Sequence, residues 1–360
     1  MAAARPEAAP YSYLVPRTSF LAPAMQSPAY MTRKPDDSLV AVITGASSGI
    51  GRAAALELAS RGMTVVLTAR DGAALEEVAA ECREHGVRTL VVPADVAREQ
   101  EVELVARRAV ATFGHFDVWV NCAAVALFGR FDLTPSAPYR RLMETNFFGY
   151  VHGARAALHE FRRRRRGILI NVGSVVSRAP QPFTSAYVSS KAAVHALTAC
   201  LRMELSLERH HQIHVCEVLP AAIDTPLFQH AANYTGRAVK ALNPVYEPEK
   251  VAKAITGLVE SPRRQVIVGG AGKGLAGRDR MSSRLWEKFG ARLIDRDHFQ
   301  KRGAPNSEGN LHAPAAPHAV RGGWREHPET VRGGRPAGAA IAITAVAVLG
   351  ALLAARWTAK

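Results

Sequence analysis

The chain has 360 residues, of which 48% are hydrophobic, so it is not an intrinsically disordered protein and can form one large domain or two small ones. The chain has 46 lysines and arginines against 31 aspartates and glutamates, which gives a formal net charge of +15. We find no nucleic-acid-binding motif beside this charge, so we expect no nucleic-acid partner. The four cysteines lack C-x-x-C or metal-ligand spacing, so we expect reduced thiols and no metal site.

Residues 1–37 are rich in Ala, Pro and Ser and show no sustained periodicity, which predicts a disordered extension. No long apolar segment follows Arg5, which argues against a secretory signal. Met31 stands shortly before the first predicted strand, and a chain starting there would look complete. A further hypothesis is therefore that translation starts at Met31, which mass spectrometry of the native amino terminus tests.

A glycine-rich turn follows the first predicted strand. Residues 39–43 form an apolar run typical of a strand buried on both faces, and the turn TGASSGIG at 44–51 leads into a helical pattern. Glycines let the backbone approach phosphate groups, while the free N–H groups and the dipole of a helix attract them. The spacing differs from G-x-G-x-x-G, but the strand and helix around it disfavour an ordinary turn. The predicted phosphate-binding residues are Gly45, Ser47, Ser48, Gly49, Ile50 and Gly51.

The end of the second predicted strand, residues 64–68, bears on the choice of cofactor. NAD-selective sites usually end this strand with a carboxylate that binds the ribose 2′-hydroxyl, and here that place is taken by Ala69. Arg70 comes next, and a guanidinium pairs with a 2′-phosphate, with Arg52 beyond the turn to assist. The sequence therefore predicts NADP(H) rather than NAD(H).

The alternation of strands and helices then continues. Two helical patterns and two further strands follow, at 72–85, 88–93, 98–113 and 117–121. Alternating units of this length predict an α/β fold with a Rossmann-type doubly wound parallel sheet as the single main domain. Asp95 and Val96 come at the carboxyl end of the third strand, where an adenine ring binds in such folds.

Tyr187 and Lys191 are four residues apart, in an Ala- and Leu-rich stretch that predicts a helix. This spacing places both side chains on one helix face. An ammonium group beside a phenol favours the phenolate, so we expect a lowered pKa for Tyr187 and general acid or base chemistry near neutral pH. A Tyr-x-x-x-Lys pair alone is more often accidental, with a packed tyrosine and a solvated lysine, and gains weight only from the rest of the chain.

Over residues 38–270 the chain resembles the short-chain dehydrogenase/reductase superfamily. The resemblance rests on pieces in the family's order, namely residues 44–51, Asp95, residues 121–124, Asn146, Ser174, Tyr187-x-x-x-Lys191 and residues 220–226. It implies hydride transfer between nicotinamide C4 and a carbonyl or alcohol carbon. It also implies four catalytic roles: Asn146 anchors a water, Ser174 hydrogen-bonds the substrate oxygen, Tyr187 moves the proton, and Lys191 holds the nicotinamide ribose.

The resemblance further implies cofactor contacts and an assembly. The implied contacts come from Asn121, Tyr187, Lys191, Pro220, Ile223 and Thr225. Two motifs depart from the family pattern: N-N-A-G reads NCAA at 121–124, and Pro-Gly reads Pro220-Ala221. Both shape the backbone around the cofactor, and alanine costs little there if its φ is negative. The family also suggests dimers or tetramers.

Three segments match those that line the family's substrate pocket, at 125–130, 177–183 and 227–246. They supply few charges and mainly the apolar or aromatic side chains of Leu127, Phe128, Phe183, Leu227, Phe228 and Tyr234. We therefore expect a small apolar carbonyl or alcohol as substrate. His230 could be a polar contact, although a lone loop histidine is more often solvated.

Beyond the predicted catalytic domain, residues 271–302 form a basic extension. Apolar side chains recur at helical spacing over 278–302, which predicts an amphipathic helix that packs over the substrate cleft, mediates dimers or lies on a membrane. Residues 303–336 are rich in Gly, Pro and His, which predicts a flexible linker.

The carboxyl-terminal end contains 19 uncharged residues at 337–355, long enough for a transmembrane helix of about 28 Å. More arginines precede this segment than follow it, so the positive-inside rule keeps the catalytic domain in the cytoplasm. The alternative is a buried or surface Ala-rich helix.

Together these features predict an NADP(H)-dependent oxidoreductase tethered to a membrane by a single pass. A lipid-like substrate would suit such a location. The alternative is a non-catalytic, NADP-binding adaptor or regulator on the same tether. A disrupted set of Ser174, Tyr187 and Lys191 would indicate that alternative, and here the set is intact.

Overall fold

The computed structural model describes residues 38–270 and 283–325. Its strands are β1 (Val40–Thr44), β2 (Thr64–Thr68), β3 (Thr89–Val91), β4 (Val118–Asn121), β5 (Leu127–Phe128), β6 (Gly167–Val172), β7 (Ile213–Pro220), β8 (Ala232–Asn233), β9 (Arg237–Val239), β10 (Gln265–Val268) and β11 (Phe299–Gly303). Its α-helices are α1 (Gly49–Ser60), α2 (Gly72–Arg83), α3 (Glu99–Phe113), α4 (Ser136–Met143), α5 (Gly149–Arg164), α6 (Ser185–Leu207), α7 (Pro248–Glu260) and α8 (Ser283–Asp297).

Seven strands form one parallel sheet in the order β3-β2-β1-β4-β6-β7-β10. The chain reverses its direction of progress across the sheet between β1 and β4, which opens a crevice at their carboxyl ends. The predicted Rossmann-type, doubly wound α/β fold is therefore confirmed. The strands and helices predicted between residues 39 and 121 end within two residues of the observed bounds.

Helices cover both faces of the sheet, which explains why the central strands are uninterrupted apolar runs. Every residue of β1, β2 and β6 is buried. One face packs against α1, α2 and α7 through side chains such as Leu58, Leu75 and Ile255. The other face packs against α3, α5 and α6 around Trp119 and Phe161.

The carboxyl-terminal part of the described chain folds back onto this domain. After α8, strand β11 pairs antiparallel with β9. Residues 304–325, here named the C-terminal strap, then run along the loops that follow β7 and β2. The strap lies within the range predicted as a flexible linker, and the division of the chain into domains stays a prediction.

The ranges 1–37, 271–282 and 326–360 lie outside the described residues. The predicted disordered extension at 1–37 and the predicted transmembrane segment at 337–355 fall there, as do the hypothesis of a start at Met31 and the first part of the amphipathic helix predicted at 278–302. In the described ranges, no helix has the length and apolar character needed to cross a bilayer.

Candidate active site

A cavity of about 1470 Å³ lies at the carboxyl ends of the central strands. This volume exceeds the roughly 300–1,000 Å³ of a pocket for one drug-sized ligand, so there is room for a dinucleotide beside a substrate. Most of the predicted site residues line it: Gly45, Ser47, Ser48, Gly49, Ile50, Gly51, Arg70, Asp95, Val96, Ser174, Tyr187, Lys191, Pro220, Ile223 and Thr225. Asn121 and Asn146 are buried behind its wall.

The glycine-rich turn is shaped for close approach of a ligand to the backbone. Gly45 has a φ of +70°, and a Cβ there would lie 2.7 Å from the Cα of Ala123. A Cβ on Gly51 would lie 2.1 Å from the carbonyl oxygen of Gly45. The Thr44 hydroxyl accepts hydrogen bonds from the backbone amides of Cys122 and Ala123, at 2.9 and 3.1 Å. These bonds connect the turn to the loop after β4. With the amino end of α1 beside it, this turn fits a pyrophosphate.

The two departures from the family motifs cause no backbone strain. Among the described non-glycine residues, positive φ occurs at Arg165, Phe183 and Arg209. Ala124 and Ala221 therefore adopt conformations that alanine tolerates. The Ala221 amide donates to the carbonyl of Val268 at 2.9 Å, which fixes the loop after β7.

The proton-transfer residues converge from three elements. Ser174 follows β6, and its side chain lies beside that of Tyr187 in the first turns of α6. Burial raises the pKa of Tyr187 to about 12, and the neighbouring Ser174 offsets only part of this rise. Part of the Tyr187 side chain remains exposed to the cavity. At neutral pH the phenol is therefore protonated and can act as a proton donor.

The prediction that Lys191 lowers the pKa of Tyr187 is wrong. The Lys191 ammonium lies 5.8 Å from the centre of the Tyr187 ring and donates instead to the Tyr150 hydroxyl at 3.1 Å and to the Val172 carbonyl at 2.9 Å. Burial lowers the pKa of Lys191 to about 8. Sequence spacing places the two side chains on one helix face, but the direction of the ammonium depends on acceptors from β6 and α5.

Tyr150 is a site residue that sequence reasoning missed. It is fully buried on α5, its hydroxyl donates to the Val172 carbonyl at 2.8 Å, and its ring centre lies 4.8 Å from the Lys191 ammonium. The signal available in the sequence was weak: Tyr150 follows Asn146 by four residues and so shares its side of the helix. The structure assigns Tyr150 to the support of Lys191.

Asn146 lies in a single π-helical turn, Glu144–Phe148, just before α5. Its amide exchanges two hydrogen bonds with the backbone of Val125, at 2.8 and 2.9 Å, and donates to the Ser190 hydroxyl at 3.3 Å. The side chain thus connects the loop after β4 to α6. Its water-anchoring role stays a prediction.

Asn121 lies among buried polar groups under the cavity. Its amide donates to the Asn171 side chain at 3.0 Å and to the Tyr150 carbonyl at 3.2 Å, and it accepts from the Trp119 indole at 2.8 Å. These contacts join β4, β6 and α5 beneath the active site. The predicted direct contact of Asn121 with the cofactor stays a prediction.

The predicted adenosine end of the cavity is rich in arginine. Arg70 lines the cavity and donates to strap carbonyls, while the Asp95 carboxylate pairs with Arg141. Arg52, predicted to assist at the 2′-phosphate, pairs with Glu81 and donates to the carbonyl of His318. Of Arg52, Arg70 and Arg141, it is therefore Arg70 that lines the cavity.

The remaining wall contains apolar and aromatic side chains together with charged residues such as Lys240, Arg296 and Lys301. Of the side chains predicted there, Phe128, Leu227 and Phe228 line the cavity. Leu127, Tyr234 and Phe183 pack behind it, the last against Phe299 with ring centres 5.3 Å apart.

The C-terminal extension completes this wall. Leu293 and Ile294 of α8, followed by His298 and Phe299, line the cavity, as the first of the three roles predicted for the amphipathic helix requires. His298 is buried, its Nδ1 donates to the Lys240 carbonyl at 2.7 Å, and burial lowers its pKa to about 4. His230 is also buried, not solvated, with Nε2 3.1 Å from the Ala316 carbonyl oxygen.

This fold and this site define a short-chain dehydrogenase, and comparison with known proteins agrees. The family model described as short chain dehydrogenase matches residues 39–234, and the chain belongs to that family. It is 38% identical over 296 residues to the uncharacterized oxidoreductase YxnA of Bacillus subtilis, covering 80% of this chain and 82% of that protein. It is 32% identical over 222 residues to the 3-ketodihydrosphingosine reductase of Bos taurus, covering 59% and 66% of the two chains.

Solved structures show the same fold. An alcohol dehydrogenase from Thermococcus sibiricus, complexed with 5-hydroxy-NADP, has a TM-score of 0.57 and 28% identity, covering 64% of this chain and 96% of that one. A short-chain dehydrogenase from Streptomyces avermitilis has a TM-score of 0.59 and 29% identity, covering 71% and 97%. The protein is therefore an oxidoreductase of the short-chain dehydrogenase family, which uses nicotinamide cofactors.

Proposed function

We propose that this protein is an NADP(H)-dependent oxidoreductase that transfers hydride between the nicotinamide and an apolar carbonyl or alcohol. The observation that carries the proposal is that Ser174, Tyr187 and Lys191 line one cavity together with the glycine-rich turn. The intact set argues against a non-catalytic adaptor.

The bound nicotinamide supplies or accepts the hydride, and the chain's own residues handle the proton. In reduction the Ser174 hydroxyl holds the carbonyl oxygen, and the Tyr187 hydroxyl donates its proton to that oxygen. The raised pKa keeps the Tyr187 hydroxyl protonated at neutral pH, as a proton donor must be. The Lys191 ammonium is held by Tyr150 and Val172, and its remaining N–H is available to the ribose hydroxyls.

NADP(H) is proposed over NAD(H) because Arg70 follows β2, at the ribose end of a Rossmann site, where Ala69 replaces the usual carboxylate. A guanidinium can hold a 2′-phosphate through charge-assisted hydrogen bonds. The solved relative in complex with 5-hydroxy-NADP supports this choice.

Arg70→Ala is expected to weaken NADPH binding by about 10- to 100-fold, because bonds to charged groups contribute about 1.5–3 kcal/mol. NADH lacks the 2′-phosphate, so its binding should weaken clearly less than that of NADPH, through the lost strap contacts of Arg70 alone. Titration of cofactor fluorescence measures both, and Arg178→Ala, outside the adenosine end, is the matched control. An equal loss for NADPH and NADH would contradict the role of Arg70 at the phosphate.

The substrate is proposed to be a lipid-like ketone or the corresponding alcohol. The wall of Phe128, Leu227, Phe228 and Phe299 supports a substrate of low polarity. The similarity to the 3-ketodihydrosphingosine reductase of Bos taurus supports a ketone on an alkyl lipid. The test is NADPH oxidation by the full chain against 3-ketodihydrosphingosine, simple alkyl ketones and charged ketones. Turnover of the charged ketones alone would contradict the proposal.

Tethering to the cytoplasmic face of a membrane is proposed on the sequence of residues 337–355. The full chain should then sediment with membranes and resist carbonate extraction, whereas a chain ending at residue 335 should not. Recovery of both in the soluble fraction would contradict the tether.

Tyr150→Phe is expected to move the pH dependence of reduction to lower pH. The Tyr150 oxygen accepts a hydrogen bond from the Lys191 ammonium and so favours its charged form. With a Lys191 pKa of about 8, reduction should decline above that pH as the ammonium loses its proton. Removal of the hydroxyl lowers this pKa further, so the decline should begin earlier.

The measurement is kcat/KM for ketone reduction from pH 6 to pH 10. Tyr139→Phe is the matched control, since Tyr139 is only partly buried and lies outside the cavity lining. A uniform loss of activity in Tyr150→Phe with an unchanged pH profile would show a merely structural role for its hydroxyl.

A further inference from the structure

The C-terminal strap forms one wall of the cavity. Asn310, Pro314, Ala315 and His318 of the strap line the same cavity as the glycine-rich turn and Tyr187. They belong to a part of the chain that lies beyond the residues matched by the family model. The strap therefore adds to the site a wall that the family resemblance does not predict.

The first half of the strap is anchored at the predicted adenosine end. The Arg70 guanidinium donates to the carbonyls of Asn310 and Leu311, at 2.6 and 3.0 Å, and Arg141 donates to the Leu311 carbonyl at 3.0 Å. The Leu311 side chain is fully buried, in a cluster that includes Leu142. Two arginines and one buried apolar side chain thus hold this end.

The middle of the strap reaches the glycine-rich turn itself. The Gly49 amide, at the start of α1, donates to the Ala319 carbonyl at 3.0 Å. The His318 imidazole lies 3.0 Å from the Asp71 carboxylate at the start of α2. The strap therefore lies across the turn where the phosphates of a dinucleotide bind.

The far end is held on the opposite side, by the loop after β7. The Trp324 amide donates to the Asp224 carboxylate at 2.8 Å, and its indole donates to the Thr225 carbonyl at 3.1 Å. The Trp324 ring also meets Phe228 edge to face, with ring centres 5.7 Å apart. Because Thr225 and Phe228 line the cavity, the strap connects both of its sides.

We propose that the C-terminal strap is part of the cofactor site and closes over the adenosine and phosphate half of NADP(H), so that cofactor exchange requires the strap to undock. This inference rests on the proposed function. The strap leaves a volume of about 1470 Å³ free in the cavity, so a dinucleotide can bind beneath it once the Gly49 amide and the Arg70 guanidinium turn from the strap carbonyls to the phosphates. Closure lengthens the residence of the cofactor through slower release.

Gly322 offers a direct test, because a side chain there would push the strap away. A Cβ on Gly322 would lie 2.4 Å from the Thr225 carbonyl oxygen and 2.8 Å from the Trp324 indole nitrogen. Gly303, just before the strap, is the matched control, since a Cβ there would meet nothing nearer than the Gly236 carbonyl oxygen at 3.6 Å. Trp324→Ala is a second variant that removes the indole bond to Thr225 and the ring contact with Phe228 without adding a clash.

The experiment measures release of NADPH from the full chain by stopped-flow fluorescence after a chase with excess NADP⁺. Gly322→Ala and Trp324→Ala should each release NADPH at least about ten-fold faster than wild type, because several hydrogen bonds of the strap are lost. Gly303→Ala should behave as wild type, and thermal unfolding would confirm that each variant is folded.

Unchanged release in both strap variants would overturn the proposal, and so would tighter NADPH binding, which would make the strap a competitor of the cofactor. Failure of the proposed function gives a different result. In that case wild type and Gly303→Ala would bind neither NADPH nor NADH, and the proposed role of the strap would be wrong as well.

Discussion

Tyr187→Phe is expected to lower kcat for NADPH-dependent reduction by about 10²–10⁴-fold, the range that a positioned general acid contributes. Phenylalanine keeps the ring that packs in the cluster of Phe128 and Phe299 but lacks the hydroxyl beside Ser174. Because the hydroxyl donates the proton and does little to bind the dinucleotide, NADPH affinity should stay within about three-fold of wild type.

The measurement combines steady-state NADPH oxidation with a fluorescence titration of NADPH, both on the full chain. Tyr139→Phe removes a phenol outside the cavity lining and should leave both quantities unchanged. Ser174→Ala should also reduce kcat, since it removes the partner of Tyr187 in the site. Full turnover by Tyr187→Phe would exclude this residue as the proton donor, whatever the substrate.

The parts of the molecule that the sequence predicted well are those set by local pattern. The Val- and Ile-rich runs of β1 and β2 are buried on both faces and could be recognised as strands of a parallel sheet. Gly45 and Gly51 could be recognised because a side chain at either position would collide with backbone. The strand, turn and helix around these glycines together predicted where the cavity lies.

The parts of the molecule that the sequence did not predict depend on contacts between residues far apart in the chain. The strap is irregular, and Arg70 holds it through main-chain carbonyls 240 and 241 residues away, which any amino acid could supply. Its Gly, Pro and His content is equally typical of a linker. In the same way the spacing of Tyr187 and Lys191 gives their common face, whereas the acceptors that draw the ammonium away come from Tyr150 and Val172.

Lys191→Met is expected to lower kcat by about 10²–10³-fold, comparable to the loss of one preorganised donor in an active site. The ammonium is the group placed to hold the ribose hydroxyls beside Tyr187, and methionine fills a similar volume without charge. The substitution leaves no new unpaired group on Tyr150, because its hydroxyl still donates to the Val172 carbonyl. Activity should therefore fall without loss of the fold.

The free energy of unfolding distinguishes a loss of catalysis in Lys191→Met from misfolding of the variant. The pKa of Lys191 is lowered from 10.5 to about 8 by burial, so between these values the unfolded chain binds the proton more readily than the folded one. Lys191 thus destabilises wild type increasingly as pH falls from 10.5 to 8, and Lys191→Met removes this penalty. Denaturant unfolding should show the variant at least as stable as wild type at pH 7, with the difference shrinking toward pH 10. A less stable variant at pH 7 would instead mean that the ammonium supports the fold, and the lost activity would not then measure catalysis.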